Sequence, residues 1–173
     1  MYLNMTQKIS IIILGAGKGT RMKSNKSKVL HKIAGLSMIE HVISGALNLN
    51  PNELSIVISD EMGVDVQRDL KNKYNNLYFT IQKDRLGTGH AVRVAIENSK
   101  VNSDTCLILY GDTPFIEKET LRNIIDDSRE SDVSVLAFES EDPASYGRLI
   151  VDGQKLEKIV EFKDANKKQR EVK

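Results

Sequence analysis

The run Ile9–Leu14, which reads Ile-Ser-Ile-Ile-Ile-Leu, passes straight into Gly15-Ala16-Gly17-Lys18-Gly19-Thr20-Arg21, and this junction constrains the fold more than any other stretch. A nearly all-apolar, β-branched run without alternation is how a strand buried on both faces of a parallel sheet reads. Parallel neighbours need crossover connections, normally helical, lying on the faces of the sheet. The expected fold is therefore α/β, a Rossmann-like three-layer α/β/α arrangement around a mostly parallel twisted sheet.

The rest of the chain repeats the unit. Met38, Val42, Ala46 and Leu49 fall at helical spacing, with Ser37 as cap and Asn50-Pro51 as stop. Residues 54–58 read as a second strand, 62–74 as an amphipathic helix, and 77–81 as a third strand. Gly87-Thr88-Gly89 opens a helix through Ala91, Val94, Ala95 and Ile96, and 105–110 forms a fourth strand ending in Gly111-Asp112. After Pro114 a helix is expected to about Ser128, then a fifth strand over 133–138. Asp152-Gly153, flanked by apolar runs at 147–151 and 156–160, signals an antiparallel hairpin near the C-terminus. The polar stretch 163–173 has little to bury and is expected to end without a closing element.

Bulk properties narrow the partners. A chain of 173 residues supports one full-sized core, and one domain is expected. The formal net charge of +1 gives no global field toward nucleic acid or an anionic membrane, so an anionic partner must be held locally. The single cysteine, Cys106, sits in an apolar run and reads as a reduced core position. No apolar run approaches the roughly 20 residues that span a bilayer, and the N-terminus lacks the basic-then-apolar order of a signal peptide. A soluble, cytoplasmic protein is expected.

The loop over residues 14–21 is a phosphate-binding candidate. Glycines at a strand-to-loop handover let backbone N–H groups approach phosphate oxygens with no Cβ in the way. It is not a P-loop, because Lys18 is followed by Gly19, and its alternating glycines do not make the dinucleotide fingerprint. A ligand-free glycine turn would explain the glycines, but not the basic run Lys18, Arg21, Lys23, Lys26 and Lys28 in a chain of near-neutral charge. The loop is therefore expected to bind the triphosphate of a nucleotide.

Tyr110-Gly111-Asp112-Thr113-Pro114 closes a central strand at the edge where open α/β sheets bind ligands. A carboxylate there can hold Mg²⁺ while phosphates and waters complete the octahedron. Asp112 can equally cap the helix after Pro114. Gln82 carries an amide able to pair with a nucleobase edge, and Gly87-Thr88-Gly89 starts a helix whose N–H groups can receive an anion or a base carbonyl. Neither His31 nor His90 has metal-type spacing, so both read as surface or packing residues.

The ordered set Leu14-Gly-Ala-Gly-Lys-Gly-Thr-Arg-Met22, Lys28-Val-Leu-His31, Gln82, Leu86-Gly-Thr-Gly-His-Ala91, Tyr110-Gly-Asp112, Tyr146-Gly-Arg148 and Ile159-Val-Glu-Phe-Lys-Asp-Ala165 spans almost the whole chain. It resembles the N-terminal uridyltransferase domain of the bifunctional bacterial N-acetylglucosamine-1-phosphate uridyltransferases and glucosamine-1-phosphate acetyltransferases. The first motif is shared by many sugar nucleotidyltransferases; the full set is narrower.

That resemblance implies uridylyl transfer from UTP to N-acetylglucosamine 1-phosphate, giving UDP-N-acetylglucosamine, a precursor of peptidoglycan and lipopolysaccharide, and pyrophosphate. It implies that Leu14, Gly15, Ala16 and Gly17 line the nucleotide site, and that Arg21 and Lys28 face the triphosphate and sugar phosphate as the catalytic cations. Gln82, Gly87 and Thr88 would hold uracil. Tyr110, Gly111, Gly147 and Glu161 would contact the sugar, and Asp112 would bind Mg²⁺. The nucleophile is a phosphate oxygen already ionised at neutral pH, so no general base is required, and no Ser/His/Asp or Cys/His constellation stands out.

Two departures from the family pattern stand out. Ser27 replaces a proline usual before the lysine, which leaves the loop carrying Lys28 less rigid. The family's further sugar-contacting asparagine, its second Mg²⁺ ligand and the left-handed β-helix that carries acetyltransferase and homotrimer contacts would all follow Lys173. Residues 1–173 then correspond to an incomplete nucleotidyltransferase domain, expected to bind UTP but turn over poorly. Two other readings stay open at this point: a nucleotidyltransferase for another base or sugar phosphate, and a non-catalytic nucleotide-binding fragment.

Overall fold

The structure is a computed structural model that describes residues 8–17, 24, 26–84, 86–98, 103–153 and 155–173. The chain divides into two compact units, residues 1–134 and 135–173.

The first unit is built on a four-stranded, all-parallel sheet. Strand β1 is Ile9–Leu14. A short hairpin of β2 (Lys32–Ile33) and β3 (Leu36–Ser37) leads into helix α1 (Met38–Leu47). Then follow β4 (Glu53–Ile58), α2 (Gly63–Lys73), β5 (Leu77–Ile81), α3 (Thr88–Asn98), β6 (Thr105–Tyr110) and α4 (Lys118–Asp127). The strand order is β5-β4-β1-β6, with every neighbouring pair parallel. The chain steps outward from β1 through β4 to β5 and then returns to the other side of β1. The order reverses between β1 and β6, and such a switch point opens a crevice at the carboxyl ends of those two strands.

Burial of β1 on both faces follows its composition. Ile11, Ile12 and Ile13 are each fully buried. Ile11 and Ile13 join the main core with Ile39, Val42, Ile43 and Ala46 of α1, Leu70 of α2, and Leu121 and Ile125 of α4. Ile12 faces the other way and packs with Val57, Ala16, Ala91 and Ala95. The small side chains of α3 let that helix lie close on its face of the sheet, so both faces are covered. Helix α1 starts on a capping box in which the Glu40 amide faces the Ser37 side chain and the Ser37 amide donates to Glu40 Oε2 at 2.7 Å, and the Ser37 hydroxyl also donates to that oxygen, at 2.6 Å.

The expected fifth strand over 133–138 does not form. The segment has no strand partner, and Val133, Val135, Leu136 and Phe138 are all exposed. A strand is held by pairing, and an apolar run left beside no ladder has nothing to specify it. The helix after Pro114 also begins later than expected, at Lys118, with Glu117 as its cap. Phe115, at φ +71°, turns the chain first.

The second unit is the predicted hairpin, β7 (Arg148–Asp152) with β8 (Lys155–Val160), carrying a register irregularity between Ile150 and Val151. Gly153 adopts φ +60° in its turn, a conformation open to glycine at no steric cost. Residues after 163 do not run free. Asn166 and Gln169 form a capping box around a one-turn helix α5 (Lys167–Arg170), and Ala165 is buried. Arg148 organises this unit: it is 3 % exposed, and its guanidinium donates to the carbonyls of Pro143, Ala144, Tyr146 and Arg170.

Candidate active site

The carboxyl edge of the sheet gathers the glycine loop, Lys28, Gln82 and the Gly111-Asp112 turn. Leu14 and Tyr110, the last residues of β1 and β6, are register partners, so the two motifs leave the sheet side by side. Hydrogen bonds carry the pairing one residue past the strand ends. Gly15 N donates to Val57 O at 2.7 Å, and Gly111 N donates to Leu14 O at 2.9 Å. These two amides extend the ladders on either side of β1 instead of facing a ligand, and Ala16 packs into the core against α3. Within the loop, Gly17 is the first exposed residue.

Both glycines at the strand ends answer a packing demand. A Cβ on Gly15 would lie 3.1 Å from Ile39 Cδ1 and 3.2 Å from Val57 O; one on Gly111 would lie 3.1 Å from Leu14 O and 3.2 Å from Val29 Cγ1. At Gly111 the crowding side chain is Val29. It is 4 % exposed and belongs to the main core, and it sits in the 3₁₀ turn Lys28–Leu30. The buried Val29 fixes where Lys28 begins.

Lys28 Nζ donates to Asp112 Oδ2 at 2.7 Å, bridging residues 84 apart in sequence. The side chains are 40 % and 33 % exposed, so the pair is open to solvent. Asp112 does not cap the following helix, which corrects that reading: Glu117 is the cap residue of α4, while the Asp112 carboxylate turns to Lys28. The turn is held from behind by Thr113, whose amide and hydroxyl both donate to Tyr110 O, at 3.2 and 2.9 Å. Tyr110 and Thr113 are themselves exposed.

Gln82 follows β5, and its amide donates to Ile58 O at 2.8 Å, extending the β4–β5 pair as Gly15 and Gly111 extend β1. The residue is 5 % exposed. Its side-chain Nε2 donates to Gly87 O at 3.2 Å and to His90 Nδ1 at 3.0 Å. Gly87 has φ +98°, which a Cβ would strain, and Thr88 begins α3. His90 was not legible as a site residue. Its one sequence signal is its place in the first turn of a helix opened by glycines, where it can reach back to the residue ending the preceding strand.

Arg21, with Lys18 to Lys23, falls outside the described residues. Gly147 and Glu161 belong to the second unit; both are exposed, and they flank the β7–β8 hairpin at its open end. His31 Nε2 is buried with no partner among the described residues. Cys106 is half-buried; burial first, then the nearby Glu53 carboxylate, pushes its thiol pKa up, which agrees with an unreactive position.

For a divalent cation, the donor offered at the switch point by the described residues is the Asp112 carboxylate. Among the described residues no cluster of three or more His, Cys, Asp or Glu side chains forms a protein cage. One carboxylate beside a candidate phosphate loop is a donor set of the kind Mg²⁺ accepts, since that ion keeps most of its waters and shares its remaining positions with substrate phosphates. The Asp112 carboxylate is paired with the Lys28 ammonium. No helix among the described residues is long and apolar enough to cross a membrane.

Residues 11–171 match the MobA-like NTP transferase domain. The bifunctional protein GlmU of Roseobacter denitrificans is 40 % identical over 165 residues, covering 95 % of this chain and 36 % of that protein. The GlmU of Pseudomonas fluorescens is 44 % identical over 165 residues, covering 95 % of this chain and 35 % of that protein. The chain thus spans about a third of the length of the curated relatives it matches. Among solved structures, HddC from Yersinia pseudotuberculosis shares the fold with a TM-score of 0.69 at 22 % identity, over 88 % of this chain and 68 % of that one. A strand order reversing at β1, a glycine loop and an acidic turn meeting at that reversal, and a domain match across nearly the whole sequence converge: the chain belongs to the MobA-like NTP transferase family, within which it is similar to the nucleotidyltransferase part of GlmU.

Proposed function

We propose that this chain is the nucleotidyl-transferring part of an enzyme that couples UTP to N-acetylglucosamine 1-phosphate, releasing pyrophosphate and forming UDP-N-acetylglucosamine. The observation that carries this reading is the convergence of the glycine loop, Lys28 and Asp112 at one switch point, with Gln82 on the same sheet edge. Similarity to the GlmU proteins supports the choice of base and sugar.

In the reaction a phosphate oxygen of the sugar phosphate attacks the α-phosphorus of UTP. The new phosphorus–oxygen bond forms as the bond from the α-phosphorus to the bridging oxygen breaks, and that electron pair leaves on pyrophosphate. The nucleophile is already an anion, so rate must come from alignment and from neutralising the charge of the reacting phosphates. Lys28 and Arg21 supply positive charge, and Leu14, Gly15, Ala16 and Gly17 line the nucleotide site, with Gly17 the exposed residue among them. Gln82, Gly87 and Thr88 receive the uracil edge. Asp112 would hold Mg²⁺, which when bound supplies further neutralisation of the triphosphate. Tyr110, Gly111, Gly147 and Glu161 are assigned to the sugar on resemblance alone.

Pyrophosphate release from a matrix of four nucleoside triphosphates and several sugar 1-phosphates, measured on the full-length protein, tests the proposal. UTP with N-acetylglucosamine 1-phosphate should give the highest kcat/KM. A clear preference for another base or sugar overturns the substrate assignment, and absence of pyrophosphate from every pair overturns the reaction.

A further inference from the structure

We propose that Lys28 and a divalent cation are alternative occupants of the Asp112 carboxylate, so that metal binding releases Lys28 toward the substrate phosphates. The inference rests on the reading of Asp112 as the metal ligand, and it adds a coupling which that reading does not contain.

The geometry makes the two cations rivals. Lys28 Nζ lies 2.7 Å from Asp112 Oδ2, a full hydrogen-bonded ion pair. A divalent ion coordinating the same oxygen at about 2.1 Å would face the ammonium at a few ångströms, and like charges that close repel. The Asp112 backbone cannot retreat from either. It is held by the Gly111–Leu14 hydrogen bond in front and by both Thr113 bonds to Tyr110 O behind.

Lys28 can move without its backbone moving. Its turn is fixed by Leu30 N donating to Ser27 O at 3.0 Å, by His31 N donating to Lys28 O at 3.1 Å, and by the buried Val29. The four-carbon stem is flexible, the side chain is 40 % exposed, and the ammonium is a compact charge that can exchange a carboxylate for a phosphate by rotation alone. Once released, it stays at the carboxyl end of β1, where the glycine loop begins.

The consequence is a linkage. Without a triphosphate, Lys28 competes with the metal. With one, the phosphates draw Lys28 away and the metal binds more tightly; by reciprocity the metal strengthens triphosphate binding by the same factor. Asp112 then passes from an internal ion pair to a metal ligand more readily when substrate is present.

Mn²⁺ is the probe, followed by loss of the aqueous Mn²⁺ electron paramagnetic resonance signal. Lys28→Gln should bind Mn²⁺ about three- to tenfold more tightly than the unaltered protein when no nucleotide is present, and UTP should enhance Mn²⁺ binding less in the variant. An unchanged or weaker Mn²⁺ affinity in Lys28→Gln overturns the coupling. Asp112→Asn separates this from the parent reading. If Asp112→Asn loses Mn²⁺ binding while Lys28→Gln leaves it unchanged, only the coupling fails. If Asp112→Asn binds Mn²⁺ as well as the unaltered protein, the assignment of the metal ligand fails.

A second measurement needs no variant. Acetylation of Lys28 by an amine-reactive ester, followed by peptide mass spectrometry, should quicken when Mn²⁺ alone is added. A rate that is unchanged or slower overturns the exchange.

Discussion

The Gly111 amide donates to the Leu14 carbonyl at 2.9 Å, and a methyl group at position 111 would lie 3.1 Å from that same oxygen. The contact ties the end of β6 to the end of β1 where both strands feed the site. Gly111→Ala should therefore lower stability by about 1–3 kcal/mol in urea titration. It should also weaken nucleotide binding, because Val29 Cγ1, 3.2 Å from the new methyl, sits next to Lys28. Gly17→Ala is the comparison. A Cβ there meets no described residue within 4 Å, so its stability should be nearly unchanged. Equal urea midpoints for Gly111→Ala and the unaltered protein would show that the strand ends have slack.

If Gln82 receives the base as proposed, His90 acts on the nucleotide through it. Its Nδ1 accepts from Gln82 Nε2 at 3.0 Å and so fixes which way the buried amide faces. His90→Ala should weaken UTP binding by about three- to tenfold while leaving the affinity for inorganic pyrophosphate unchanged, since the phosphate end is untouched. His90→Asn, which keeps an acceptor near that position, should recover part of the loss. Parallel loss of both ligands would instead mark a general disturbance of α3.

Much of this was legible in the chain, and the reasons are local. Ile9–Leu14 carries its double burial in its composition, and Asp152-Gly153 carries its hairpin, because each is set by residues that are neighbours in sequence. The capping box at Asn166 and Gln169 was equally local, yet it was hidden by the polarity of the tail around it. The run at 133–138 misled because alternating apolar residues state that a strand can form, not that a neighbouring edge exists to pair with it. Within the site, the glycine loop and Asp112 announce themselves by type. The Lys28–Asp112 and Gln82–His90 contacts do not, because the first joins residues that meet only when β6 returns beside β1, and the second depends on a side-chain orientation.

Position 27 offers a stabilising change. Ser27 has φ −54° and ψ 138°, within the range of a proline, and its hydroxyl is buried with no partner among the described residues. Ser27→Pro should raise stability by about 0.4–1 kcal/mol by restricting the unfolded chain, visible as a higher melting temperature. A lower melting temperature would show that the Ser27 amide is needed as a donor.

Glu40 predicts an acid limb in the stability curve. Burial by itself raises its pKa, but hydrogen bonds from Lys73 and from the Ser37 hydroxyl and amide, with the charge of Lys73, outweigh it and pull the value from 4.5 down to about 2. A carboxylate depressed in the folded state stabilises above its unfolded value and loses that contribution as pH falls. Stability should therefore decline between about pH 5 and pH 2 by roughly 1–2 kcal/mol from this group, after allowing for solvent screening. In Glu40→Gln the neutral-pH stability should drop by a similar amount and this part of the slope should flatten. An unchanged slope would assign the acid limb to other carboxylates.

The central claim is that the crevice between β1 and β6 receives a uridine triphosphate, and calorimetric titration of the 173-residue chain with the four nucleoside triphosphates in Mg²⁺ tests it most directly. The account predicts saturable one-to-one binding of UTP, with ATP, GTP and CTP at least about tenfold weaker through the Gln82 edge, and loss of most UTP affinity in Lys28→Gln. Equal affinity for all four nucleotides, or UTP binding that survives Lys28→Gln undiminished, would contradict it.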